Sequence, residues 1–410
     1  MRLSSSNPES YAARSTNLLF PLALAAVTLL GCEVEDLPPP ETYSCTPIPA
    51  EQLIHPLADQ FQRLLEADLP FTTGVQVAVT DARGERWTGA AGYADIGAGV
   101  QYTPCMRGAV ASITKTVTAA LILEAQDNSL VDIDSPVGDY LDAALLTDLA
   151  NASEATLRQL LSHTSGIPDY LTLRQTLDSF NEPFLRFSQE DKLEYARGIE
   201  AIHPVGSAFS YSNTNYLLLG LVLERVYGLD LTEVFEARVS LPLQLGGFVM
   251  GTENDPIPDD IPRPYLALAG GKFQNVISSA VSDAATGDGG VLTNMTELEV
   301  FAKALFSGEL VSDAMLAEMT AEVSVLSPEQ SDFDFYPNEA YGLGLTRYNT
   351  PIGVAYGHTG STSAYNSTLL YFPATGVNFA IIRNGIDLER VDASIEQSQR
   401  TMDAFLELLQ

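Results

Sequence analysis

A chain of 410 residues with 46% apolar side chains and a formal charge of −32 is long enough for one large or two medium domains with a real core. The acidic excess excludes nucleic acid and an anionic membrane surface as partners, since both would be repelled. The sequence holds no Gly-x-x-x-x-Gly-Lys, no Gly-x-Gly-x-x-Gly after a strand pattern, no His-Glu-x-x-His and no Cys-x-x-Cys. No metal or organic cofactor is therefore expected.

Residues 1–31 begin weakly basic (Arg2, Arg14) and continue as "LLFPLALAAVTLLGC", an apolar run too short to span a bilayer, which reads as an export signal. Its end, Leu29-Leu30-Gly31-Cys32, resembles the lipobox of bacterial lipoproteins. That predicts cleavage before Cys32, acylation of Cys32, and an exported envelope protein that meets a membrane only through this anchor. An ordinary signal peptide with an incidental cysteine is the alternative. Residues 32–50, "CEVEDLPPPETYSCTPIPA", are acidic and proline-rich and suit a solvated tether. Cys45 and Cys105 remain, either as a disulfide clipping the tether to the body or as two free thiols.

The body, 51–410, opens with "GVQVAVTDARGERWTGAAGYAD", whose alternation around Ala82-Arg83-Gly84 predicts a hairpin. In "AVASITKTVTAAL" the apolar residues Ile113, Val117 and Leu121 recur every four residues and predict a helix with one buried face. The middle is dominated by helical spacing, including "QEDKLEYARGI" and "TNYLLLGLVLERVYG". Thr296 to Glu299 reads as a capping box for a helix through Phe306. Strands return in "YGLGLTRY", "STLLYF" and "VNFAIIR", before a closing helix from about Leu388. The expectation is an α+β fold. An antiparallel sheet from 51–110 and 290–410 is flanked by helices, and a mostly helical subdomain spans 111–289.

Ser112 and Lys115 form a Ser-x-x-Lys at the head of the predicted helix, three residues apart and so on one side of it. A serine hydroxyl needs a proton acceptor to become a nucleophile, and a lysine shielded from water is one. Two later segments offer what such a nucleophile needs. "FSYSNTNY" brings Tyr211 and Asn213, a phenol and an amide two residues apart, just before an apolar helix. "YGHTGSTSAY" brings His358, Thr359, Gly360 and Ser361, where a glycine lets backbone approach a ligand.

This order, Ser-x-x-Lys, Tyr-x-Asn, His-Thr-Gly, resembles the penicillin-recognising serine hydrolases, whose motifs are Ser-x-x-Lys, Ser-Asp-Asn and Lys-Thr-Gly. Tyr211-Ser212-Asn213 and His358-Thr359-Gly360 point to the branch of class C β-lactamases, secreted DD-carboxypeptidases and related esterases. "LLSHTSGIPDY" and "YGLGL" strengthen the likeness. The resemblance implies Ser112 as acylated nucleophile, Lys115 as its proton partner and Tyr211 as general acid and base. It implies Asn213 on the substrate amide, His358 as a positive field, and Thr359 and Ser361 on the substrate's acidic end. The backbone N–H groups of Ser112 and Ser361 would form the oxyanion hole. His163 is expected to be structural. The implied reaction is D-alanyl-D-alanine carboxypeptidase on peptidoglycan peptides. An esterase or β-lactamase acting on an ester or β-lactam is the alternative, and a non-catalytic envelope penicillin-binding protein a further one. Two departures favour the esterase or β-lactamase. Thr346 stands where carboxypeptidases place a carboxylate-binding arginine, with Arg347 one residue late, and "SDAATGD" before Gly289-Gly290 lacks the expected aromatic.

Overall fold

The structure is a computed structural model that describes residues 55–181, 187–251, 260–267, 272–276, 285–326 and 339–410. The expected signal, Cys32, the tether and Cys45 lie outside the described residues. Cys105 is disulfide-bonded.

Opposite ends of the chain supply the strands of one sheet. The early strands are β1 (Gly74–Thr80), β2 (Arg86–Asp95) and β3 (Val100–Gln101). The late ones are β4 (Ser324–Val325), β5 (Ala340–Tyr341), β6 (Thr346–Thr350), β7 (Gly353–Ser361), β8 (Tyr365–Phe372) and β9 (Val377–Asn384). Their order is β3-β2-β1-β9-β8-β7-β6-β5-β4, with neighbours antiparallel. The β1–β9 seam, Gly74↔Asn384 through Thr80↔Asn378, joins the two ends. The expected hairpin turn is made by Asp81, whose Oδ1 accepts the backbone N–H of Arg83 and Glu85.

Both faces of this sheet are covered. Helices α1 (Ala58–Asp68) and α6 (Val391–Leu408) close one, where Phe61 stacks on Phe405 at 5.2 Å beside Trp87 and Phe379. The larger core on the other face takes α2 (Thr114–Asp127), α4 (Asn213–Tyr227) and α5 (Met295–Phe306). Helix α2 was expected to bury one stripe. Instead every residue from Thr114 to Leu123 is buried, because α2 is packed all round in the interior.

Three further expectations change in detail. The stretch "QEDKLEYARGI" contributes only the short helix α3 (Gln189–Leu193), capped by Ser188. The N-cap of α5 is Asn294, which accepts the Glu297 N–H at 3.0 Å; the strand Val291–Thr293 runs straight into the helix, so it starts before Thr296. "YGLGLTRY" is broken between β5 and β6, where Gly344 takes φ +75° and lies so close to α2 that a Cβ would sit 2.3 Å from the Ala119 Cβ. The middle of the chain also contributes strands to two small three-stranded sheets beside its helices.

The aromatic stack under the sheet tests the division into two cores. Phe405→Ala should lower the unfolding free energy by about 3–5 kcal/mol, as for a buried aromatic truncated to a cavity. Urea denaturation checks the loss, and the Ser112 side, across the sheet, should be left unperturbed.

Candidate active site

Ser112 lies in the 3-10 turn Ala111–Ile113 that leads into α2. The turn starts with Ala111 at φ +49°, a conformation that costs a residue with a Cβ and is held by its surroundings. Those surroundings are strand β7. A Cβ on Gly360 would sit 2.1 Å from the Val110 carbonyl oxygen, so only glycine lets the strand come this close. Ser367 of β8 donates to the same carbonyl at 2.8 Å. The Ser112 turn is thus held against Gly360 and Ser367.

Lys115 is fully buried, and its ammonium has three acceptors from three parts of the chain. Nζ donates to Ser112 Oγ at 3.0 Å, to Asn213 Oδ1 at 2.7 Å and to the Asp288 backbone oxygen at 2.8 Å. It also lies 5.1 Å from the centre of the Tyr211 ring. Tyr211 sits just before α4 and stacks on His163 with centroids 4.1 Å apart. His163 holds a left-handed φ of +55°, and its Nδ1 faces the Ser212 N–H at 3.2 Å and Asn215 Nδ2 at 3.1 Å. Burial, then the charge of Lys115, pushes its pKa well below 6.5, so it is a neutral platform under Tyr211. The structural reading of His163 fits this placement.

Asn213 uses both ends of its amide, since Nδ2 donates to Asp169 Oδ2 at 2.9 Å. Asp169 was not singled out from the sequence, although it lies within "SHTSGIPDY". Burial raises its pKa against hydrogen bonds from Leu171 and Asn213 and the charge of Lys115. Tyr170, Lys192 and Asp288 were missed as well. Tyr170 donates to Asp288 Oδ2 at 2.7 Å, and Lys192 Nζ lies 3.7 Å from Asp288 Oδ1. Apart from the rarity of lysine, four in the chain, no local pattern marks them.

His358 needs correction. It is buried, with Nδ1 donating to the Thr359 carbonyl and Nε2 accepting from the Tyr341 hydroxyl at 3.1 Å. Burial and the nearby Lys115 charge lower its pKa to about 3. It is neutral at pH 7, and the positive field expected of it is absent. Thr359 pairs with Thr368 across β7–β8 and lines a cavity with Ser394 and Ser398 of α6. Strand alternation therefore puts its side chain on the face opposite His358. Ser361 is exposed at the end of β7, beyond the last β6 pair, Thr346↔Gly357. Arg347 pairs with Tyr356 and so shares the face of His358, while Thr346 does not. Its guanidinium is engaged by Glu322 at 3.2 Å.

A serine hydroxyl hydrogen-bonded to a buried lysine, with a tyrosine ring centred 5.1 Å from that lysine's nitrogen, is an arrangement suited to acyl transfer. A family model described as Beta-lactamase matches residues 62–397. The chain belongs to that family. Its members and structural neighbours are serine hydrolases that work through an acyl-enzyme, and the α+β sheet flanked by helices is their fold. Among solved structures, a D-stereospecific amidohydrolase from Streptomyces sp. aligns at 26% identity and TM-score 0.68, covering 83% of this chain and 98% of that one. Penicillin-binding protein 4 of Amycolatopsis lactamdurans is 24% identical over 67% of this chain and 71% of its own length. Protein flp of Staphylococcus aureus is 29% identical over 154 residues, 38% of this chain and 30% of that protein. The chain thus spans about a third of the flp sequences it matches.

The two buried histidines make a pH prediction. Their folded pKa values lie below the unfolded value of about 6.5, so unfolding takes up protons in acid. Stability present above about pH 6.5 should be lost progressively as pH falls towards 3. His358→Asn should make the melting temperature fall less steeply between pH 7 and pH 4 than in the unmodified protein.

Proposed function

We propose that this serine hydrolase acylates Ser112 with D-configured aminoacyl amides or esters that carry no terminal carboxylate. The observation that carries this reading is the state of His358, expected to supply a positive field, and of Arg347, one residue after the place of the family's carboxylate-binding arginine: His358 is neutral, and Arg347 is held by Glu322. The net charge of −32 adds a field that disfavours anionic substrates and attracts cationic ones. The likeness to a D-stereospecific amidohydrolase supports the configuration and the amide. In this reading the fraction of Lys115 present as the neutral amine takes the Ser112 proton, Tyr211 relays it to the leaving group, and Asn213 positions the acyl chain. The backbone N–H groups of Ser112 and Ser361 hold the oxyanion.

D-alanyl-D-alanine carboxypeptidase is the second reading, favoured by the penicillin-binding relative and by Arg347 lying on the His358 face. It requires Arg347 to leave Glu322. Export, an acylated Cys32 and a Cys45–Cys105 disulfide complete the proposal and place the enzyme in the cell envelope. No described helix is long and apolar enough to cross a membrane.

Three substrates separate the readings: a D-aminoacyl p-nitroanilide, its L enantiomer, and a peptide ending in D-alanyl-D-alanine. The D-anilide should be turned over fastest, with an acyl mass on the Ser112 peptide that Ser112→Ala abolishes. Faster release of D-alanine from the peptide would instead establish the second reading. Tyr211→Phe should keep the fold and lose roughly a hundredfold in turnover, as for a lost general acid or base.

Glu322→Gln tests the mask on Arg347. Freed of its partner, Arg347 can hold a carboxylate through two parallel hydrogen bonds. The variant should raise kcat/KM for the D-alanyl-D-alanine peptide by up to about fivefold, the most an exposed ion pair is worth, and leave the anilide unchanged. Equal effects on both substrates would show that Glu322 does not gate a carboxylate site.

A further inference from the structure

Behind Lys115 lies a buried ion pair that the acylation chemistry does not touch. Asp288, in the turn 287–289, offers its backbone carbonyl to Lys115 at 2.8 Å. Its side chain points the other way, with Oδ2 accepting from the Tyr170 hydroxyl at 2.7 Å and Oδ1 3.7 Å from Lys192 Nζ. Lys192, on α3, also donates to Thr286 Oγ1 at 3.3 Å and lies 5.2 Å from the centre of the Tyr170 ring. The two charged side chains are 4% and 1% exposed. Charges this deep are tolerated only when paired, and either one alone would be costly.

The charges around Lys115 are few enough to name. Ser112 faces it from the 3-10 turn, Asn213 and Tyr216 from α4, and Tyr211 from the segment before α4. The loop after the helix Leu157–Leu161 contributes His163, Asp169 and Tyr170; β7 contributes His358, α3 Lys192, and the 287–289 turn Asp288. Both histidines are neutral, so the formal charges are Asp169, Asp288 and Lys192. An uncompensated Asp288 carboxylate would favour the ammonium form of Lys115, which cannot accept the Ser112 proton.

We infer that Lys192 is a positioning residue that neutralises Asp288, so that the Asp288 turn holds Lys115 in place without fixing the proton on it. The inference rests on the reading of Ser112 and Lys115 as the acylating pair. The ionised state of Asp288 agrees with it. Burial pushes that carboxyl up, but the ammonium groups of Lys192 and Lys115 and the Tyr170 hydrogen bond outweigh burial and hold it below its ordinary value.

Opposite substitutions should move the acid limb of the kcat/KM profile in opposite directions, which a purely structural role would not do. With p-nitrophenyl acetate as substrate and the full chain as enzyme, Lys192→Gln should move the limb up by about one pH unit, because the remaining carboxylate favours the ammonium. Asp288→Asn should move it down by about as much, because the remaining Lys192 charge disfavours a second ammonium. The double variant, again balanced, should return close to the unmodified profile. Shifts of both single variants in one direction, or slower turnover with an unmoved limb, would overturn the inference. If Lys192→Gln does not fold, Asp288→Asn decides alone, and a limb that stays or rises counts against it. A Ser112→Ala control separates the two levels: turnover surviving in that variant refutes the acylating pair itself, whereas its loss with unmoved limbs refutes only the role of Lys192.

Discussion

The buried ammonium of Lys115 is the constraint on which the site depends. An ammonium taken out of water is tolerated only where acceptors replace the lost hydration. Here they come from Ser112, Asn213 and the Asp288 carbonyl, which belong to the 3-10 turn, the start of α4 and the turn before Val291–Thr293. Satisfying one side chain therefore fixes three segments far apart in sequence. Tyr211 follows from the same requirement, because it lies two residues before Asn213 and its ring closes over Nζ.

A second tier holds those three segments. Thr118 of α2 donates to the Gly287 carbonyl at 2.7 Å, and Gln189 of α3 accepts the Gly287 N–H at 3.2 Å. Thr114 accepts the Val291 N–H at 3.1 Å. These bonds explain why α2 carries hydroxyls although it is buried all round. Its Thr114, Thr116 and Thr118 satisfy the Val291 N–H at the head of a short strand and the Gly344 and Gly287 carbonyls of two turns. An apolar helix of the same shape would leave those groups orphaned.

The sheet built from both chain ends, the helices α2 and α4, and the closeness of Ser112 and Lys115 were legible in the sequence. Each rests on local periodicity or on short motifs. What escaped it depends on tertiary burial. The letters "HTG" suggest a titrating histidine, and it is burial in the fold, with the nearby charge of Lys115, that makes His358 neutral. In an unbroken strand, Arg347, one residue late, would lie on the other face from the family's arginine. The turn at Gly344 interrupts the presumed strand, and the β6–β7 register puts Arg347 on the site's face after all. Lys192 and Asp288 are 96 residues apart, so nothing short of the fold brings them together.

A site with neutral histidines depends on its remaining charges for selectivity. Lys115 is engaged by Ser112 and Lys192 by Asp288, so neither ammonium is available to a substrate carboxylate without loss elsewhere. Arg347 is the cation on the right face, and its contact with Glu322 is half exposed, where an ion pair is worth at most about 1 kcal/mol. A substrate carboxylate that met Arg347 in a drier setting would compete on favourable terms, because charge-assisted pairs strengthen as water leaves. In the proposed reading, the preference for substrates without a carboxylate therefore rests on one weak surface contact. On that reading, selectivity can change at Glu322 and Arg347 without disturbing the hydrogen bonds that hold Lys115 beside Ser112.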